Sequence, residues 1–162
     1  MTGRPTLGSL VCLGLLASMA IALSTSVRAQ ADPSIGTWKL NLEKSKYSPG
    51  PPPKSNMVTI EAKGDQTHVT VKGESATGSP TASEYSYRYD GKDYPVTGAP
   101  GYDMMSLTRK GNVIEGVRKK DGKVVQTYKR VFSQDGKTMT VTTSGTDAQG
   151  QKINNVAVYE KQ

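Results

Sequence analysis

Leu107–Lys161 reads LTRKGNVIEGVRKKDGKVVQTYKRVFSQDGKTMTVTTSGTDAQGQKINNVAVYEK, and its punctuation decides the fold. Runs of Val, Thr, Tyr and Ile are cut at short intervals by Lys110-Gly111-Asn112, Asp121-Gly122, Asp135-Gly136 and Gly145-Thr146-Asp147. Glycine accepts a positive φ at no steric cost and Asp or Asn tolerates one, so each cut has the chemistry of a tight antiparallel turn. The spacing predicts strands over roughly 103–109, 113–119, 123–132, 138–144 and 152–160, joined in order as a meander.

Upstream the same grammar continues. In Ile35–Leu42, Trp38, Leu40 and Leu42 alternate with Thr37, Lys39 and Asn41, which predicts a strand with one buried face. Met57–Lys63 and His68–Lys72 flank the turn Gly64-Asp65-Gln66. Glu84–Tyr89 sets Tyr85, Tyr87 and Tyr89 on one side, and Asp93–Val96 is a short edge interrupted by Pro. Between the first two strands, Pro49-Gly50-Pro51-Pro52-Pro53 cannot donate to a ladder and reads as a stiff, polyproline-like connection in preference to a peptide-ligand motif. That makes ten candidate strands, with no helical period after residue 31. The expected fold is all-β, a single up-and-down antiparallel β-barrel of about 8–10 strands; a sandwich is the alternative. Nearest-neighbour hairpins favour the barrel, because closure removes exposed edges.

The N-terminus is set apart. Arg4 precedes an apolar run from Leu7 to Leu23 that is short for a membrane span, and Ala29-Gln30-Ala31 supplies a small-residue exit. Residues 1–31 are therefore expected to be a signal peptide, cleaved after Ala31 or Ala29, with an uncleaved anchor as the rival reading. The protein is then exported, periplasmic or secreted. Residues 32–162 remain, enough for one domain and too few for two ordinary ones. Cys12 is the one cysteine and lies in the apolar run, so the domain has no disulfide and no transmembrane segment follows. Charge is 21 Lys+Arg against 14 Asp+Glu; without Arg4 and Arg28 the balance is 19 to 14, or +5. The positive residues are scattered over turns and outward positions, apart from Arg118-Lys119-Lys120 leading into a turn. Nucleic-acid binding is not implied, since it needs clustered charge with aromatics on one face.

Polar residues on the inward face are the first hint of function. In Lys123–Phe132, Val124, Gln126, Tyr128, Arg130 and Phe132 share one side; in Lys152–Glu160, Ile153, Asn155, Ala157 and Tyr159 do. A solid core rejects Gln126, Arg130 and Asn155, whereas a partly wet lumen accommodates them through partners, water or a ligand.

Several short stretches are similar, in order, to one family. Gly36-Thr37-Trp38-Lys39-Leu40 resembles the opening of the fatty-acid-binding proteins and, through Gly-x-Trp, the wider lipocalin-like (calycin) group. Asn56–Ile60 with the Lys63-Gly64-Asp65 turn, Asp121-Gly122-Lys123 leading to Tyr128-Lys129-Arg130, and Val158-Tyr159-Glu160-Lys161 look like its later strands. In that family an Arg-x-Tyr on the last strand and a second Arg two strands earlier meet the ligand carboxylate. The resemblance puts Tyr159 at the Tyr and Arg130 at the second Arg. Ala157 stands at the first Arg, and the family's helical lid has no counterpart in the Pro-rich Glu43–Ser55. Inward-facing aromatics join these two, so the expected ligand-binding lining of the lumen is Arg130, Tyr159, Tyr128, Trp38, Tyr85 and Tyr87. Trp38 has a structural reading beside this one, a stack with an Arg that closes one barrel end. The Tyr85–Tyr89 stripe can equally be cross-strand packing.

Catalytic signals are missing. There is no Gly-x-Ser-x-Gly, phosphate loop or dinucleotide fingerprint, and His68 is the only histidine, read as outward and solvated. One His with no Cys after residue 31 supports no ordinary zinc site, and no cofactor is implied. The expectation is a non-catalytic carrier of a small hydrophobic or amphipathic ligand. A filled barrel that engages a protein or cell-envelope partner through its loops is the alternative, and oligomeric state is not encoded.

Overall fold

The computed structural model describes residues 32–162, together with Met1 and Gly3; the apolar run of the expected signal peptide, with Cys12, lies outside the described residues. Ten strands form where the sequence alternates: β1 (Gly36–Lys46), β2 (Ser55–Lys63), β3 (Gln66–Glu74), β4 (Pro80–Tyr87), β5 (Asp90–Thr97), β6 (Met104–Lys110), β7 (Val113–Lys120), β8 (Lys123–Phe132), β9 (Thr138–Thr146) and β10 (Lys152–Lys161). Each pairs antiparallel with its chain neighbours, and β1 pairs with β10, closing a barrel in the order β1-β10-β9-β8-β7-β6-β5-β4-β3-β2. The ring is thinnest between β4 and β5, where only Glu84↔Thr97 and Tyr85↔Val96 are in register.

Alternation sorts the side chains, and stagger sorts them by height. At one end Trp38, Ile60, Val69, Tyr87, Leu107, Ile114, Phe132 and Met139 are fully buried. Trp38 packs on Phe132 at 5.3 Å and donates from Nε1 to the carbonyl of Ser34 at 3.0 Å. The segment before β1 forms a cap over this end, pinned where Arg109 grips both carboxylate oxygens of Asp32. That guanidinium, by hydrogen bonding, holds Asp32 at about 2 against the opposing effect of burial. Lys161 completes the closure. Its Nζ lies 5.0 Å from the Trp38 ring centroid and donates to the carbonyl of Pro33 at 3.0 Å. Gly36 allows this approach: at φ 133° its missing Cβ would stand 2.8 Å from Lys161 Cε. The stack on Trp38 is thus made by a lysine, with Arg109 lying over Tyr89 nearby at 5.4 Å. Across the seam the Gln162 amide donates to the carbonyl of Thr37 at 2.9 Å.

Three expectations need correction. Leu42 is 41 % exposed, because β1 loses register with β10 after Asn41 and the strand turns its outer residues over. Val124 is 58 % exposed, because a bulge in β8 pairs Arg118 with Gln126 but Lys119 with Val124. His68 does lie on the outer face, yet only 7 % of it is exposed. Its ladder partners Glu61 and Ser86 flank it, Nδ1 lies 2.9 Å from Ser86 Oγ, and Nε2 lies 3.4 Å from Glu84 Oε1. The Pro49–Pro53 connection includes cis peptides at Ser48–Pro49 and Gly50–Pro51.

Candidate functional site

Beyond the sealed layer the lumen changes character. Tyr85, Tyr128, Tyr159, Arg118 and Arg130 project into a cavity of about 290 Å³, walled on its apolar side by Val58, Val71, Met139 and Val141. The loop from Gly98 to Tyr102 roofs it. A second hollow of about 400 Å³ shares Tyr102, Arg118, Val141 and Tyr159 with the first and runs out past Gln126, Thr143 and Asn155. Ala157 lines this outer hollow, so the position without an arginine leaves room near the mouth.

Arg130 sits where its strand alternation requires, between Tyr128 and Phe132 on the inner face of β8, and is 2 % exposed. Nε donates to Tyr128 Oη at 2.6 Å and Nη2 to Tyr85 Oη at 3.3 Å, while Nη1 is buried with no hydrogen-bond partner. Burial opposes its charge, and the phenols of Tyr128, Tyr85, Tyr87 and Tyr89 more than offset that, leaving the guanidinium above its ordinary value and charged. Burial pushes the Tyr128 phenol up to about 12, with Arg130 pulling the other way. Burial likewise raises Tyr159, whose hydroxyl donates to Asn56 Oδ1 at 3.4 Å.

Arg118 is the residue that the charge run concealed. It shares the inner face of β7 with Ile114 and Gly116, a parity that marks it as inward despite Lys119 and Lys120 beside it. Its Cζ lies 4.4 Å from the Tyr102 ring centroid and 4.6 Å from that of Tyr128. Nη1 donates to Gln126 Oε1 at 3.0 Å, and Nε is buried without a partner. The bulge positions this group. Gly145, at φ 142°, lets β9 approach so closely that a Cβ there would meet the Val125 carbonyl at 2.1 Å. Gln126 is held by donating to the Thr146 carbonyl at 2.7 Å. The Cζ of Arg130 lies 5.4 Å from the same Tyr128 centroid, so the two charges stand within about 10 Å of each other. At an effective dielectric of about 20 a separation of that size or less means a repulsion of at least about 1.7 kcal/mol.

Four of the six residues expected from the sequence, Arg130, Tyr159, Tyr128 and Tyr85, converge on the cavity. Trp38 and Tyr87 do not line it. Both face inward, but their strand positions place them in the sealed layer: Trp38 is 0 % exposed, and Tyr87 stacks on Tyr85 at 5.8 Å with its hydroxyl 3.3 Å from that of Tyr89. Arg118, Tyr102 and Asn56 line the cavity and were not foreseen. Among the described residues no group of three His, Cys, Asp or Glu side chains is placed to hold a metal ion, and no helix is long and apolar enough to cross a membrane.

No protein-family profile matches the chain, and no curated protein sequence matches it. Among solved structures, fatty-acid-binding protein 1 of Echinococcus granulosus is similar at 14 % identity, covering 80 % of this chain and 97 % of that one, with a TM-score of 0.51. Ex-FABP, a siderocalin described as functioning through dual ligand specificities, is similar at 13 % identity over 81 % of this chain and 75 % of its own, with a TM-score of 0.39. At this identity the likeness to the fatty-acid-binding protein is one of fold: the chain is a ten-stranded, closed antiparallel barrel.

Proposed function

We propose that this protein binds a small amphipathic molecule in its barrel lumen, without chemical turnover, after export across a membrane. One observation carries the binding: Arg130 is buried and charged, with no hydrogen-bond partner for its Nη1, at the floor of a cavity whose lining includes no carboxylate. A buried guanidinium with an idle N–H costs stability unless something compensates it, and a ligand headgroup does so directly. The mixed wall fits the rest of such a molecule, with valines and methionine for an apolar body and phenols for its polar edge. The binding activity named for the fatty-acid-binding protein of the same fold agrees with this reading. Export rests on the apolar run from Leu7 to Leu23 and the Ala29-Gln30-Ala31 exit.

The test is native mass spectrometry of protein purified from its own envelope. A retained small molecule is expected on the wild type and absent from Arg130→Met. A wild-type barrel that carries nothing, and takes up no amphipathic probe when titrated, would sink the proposal.

A further inference from the structure

We infer that the lumen selects an organic dianion, using Arg118 and Arg130 as two anchors that lean on one shared ring, Tyr128. The inference rests on the lumen being a ligand site and goes further by naming the ligand's charge.

Three observations carry it. The only buried side-chain nitrogens without a partner, among the described residues, are Arg118 Nε and Arg130 Nη1, and both residues line the same cavity. A monoanion held by Arg130 would leave the half-buried guanidinium of Arg118, whose Nε is fully covered, without a countercharge in the same cavity. No carboxylate lines that cavity; Asp147 borders the outer hollow, where its Oδ1 accepts from the amides of Gln149 and Gln151 within its own turn. Lastly, Arg118 is not a loose surface cation. It is held between the rings of Tyr102 and Tyr128 and tied to Gln126, which is itself tied to the β9 backbone. Such preorganisation saves the ordering cost of binding and gives Arg118 a fixed direction. The arrangement differs from a clamp on the last strand, where Ala157 stands: the second charge comes from β7.

The cavity also limits the ligand. At about 290 Å³ it holds the volume of roughly ten water molecules, so the dianion carries a short alkyl or aryl body. Either a phosphate monoester or a short dicarboxylate supplies two charges, and the test separates them.

Isothermal titration of the purified protein at about pH 8, where a phosphate monoester is doubly charged, would compare octyl phosphate, octanedioate, octanoate and octanol. At least one dianion is expected to bind about ten-fold or more tightly than octanoate. In Arg118→Gln that ratio falls towards one, and Arg118→Lys, which keeps the charge but not the fork, retains an intermediate ratio. Octanoate and octanol binding as tightly as both dianions overturns the inference and leaves lumen binding intact. Four silent titrations overturn both. Full dianion preference surviving in a folded Arg118→Gln removes Arg118 from the role. Should that variant fail to fold, the wild-type ratio and Arg118→Lys still decide.

Discussion

The two ends of this barrel are built by the same strands under the same alternation, and they answer opposite demands. At the sealed end Trp38, Phe132, Ile114 and Leu107 are wholly buried, and the polar groups beside them are paired: Trp38 Nε1 with Ser34, Asp32 with Arg109, Lys161 with Pro33. At the mouth the inward positions are Arg118, Gln126, Thr143 and Asn155, and from there to the cavity floor two guanidinium nitrogens, Arg118 Nε and Arg130 Nη1, are left without a partner. Side chains of the first kind stabilise the fold. Those of the second kind are tolerated by it, which is how a binding site differs from a core.

Four changes would break or sharpen that contrast, the largest first. Trp38→Ala removes the central filler of the sealed end and should cost about 3–5 kcal/mol in urea unfolding. If it costs under about 1 kcal/mol, the sealed end is not the stabilising half. Arg130→Met should do the reverse: stability neutral or improved by up to about 2 kcal/mol, as expected when a buried charge is exchanged for a similar apolar volume, with anionic-probe affinity down about ten- to a hundred-fold. Both are read on one sample by paired melting and titration. Gly145→Ala strains a left-handed backbone and pushes on the Val125 carbonyl, so a loss of about 1–3 kcal/mol is expected, accompanied by loosening of Gln126. Amide exchange at Gln126 would report that second effect, and no change there would separate the bulge from the site.

The smallest effect concerns pH. Arg109 depresses Asp32 in the folded state, so this pair's contribution is full above the ordinary carboxylate value near 3.8 and is lost as pH falls through about 2. Asp32 is partly exposed, which limits the contribution to about 1 kcal/mol or less. Asp32→Asn should therefore be slightly less stable at neutral pH and converge with the wild type near pH 2. Parallel acid-unfolding curves for the two would remove the pair from the account of the sealed end.

All ten strands were legible in the sequence because their Gly-centred turns and period-two runs are local signals. Inward placement of Arg130 followed from its parity with Tyr128 and Phe132. Parity gives a face but not a height. Trp38 and Tyr87 were correctly turned inward, yet the stagger between strands, which no single strand encodes, sets them in the sealed layer. Arg118 was missed for a related reason: Lys119 and Lys120 made it look like solvated charge, while its two-residue spacing from Gly116 and Ile114 pointed in. His68 was misjudged because a position facing outward can still be covered by its ladder neighbours. Leu42 and Val124 went astray at irregularities in β1 and β8, where the count of two breaks.

The hydrogen bond from the Gln162 amide to Thr37 has a practical corollary. Both rims of the seam finish beside the Trp38 plug, on the side of the molecule opposite the roof formed by Gly98–Tyr102. A handle attached after Gln162, whether a dye or a chip linkage, therefore leaves ligand entry unobstructed, and immobilised protein should titrate like free protein.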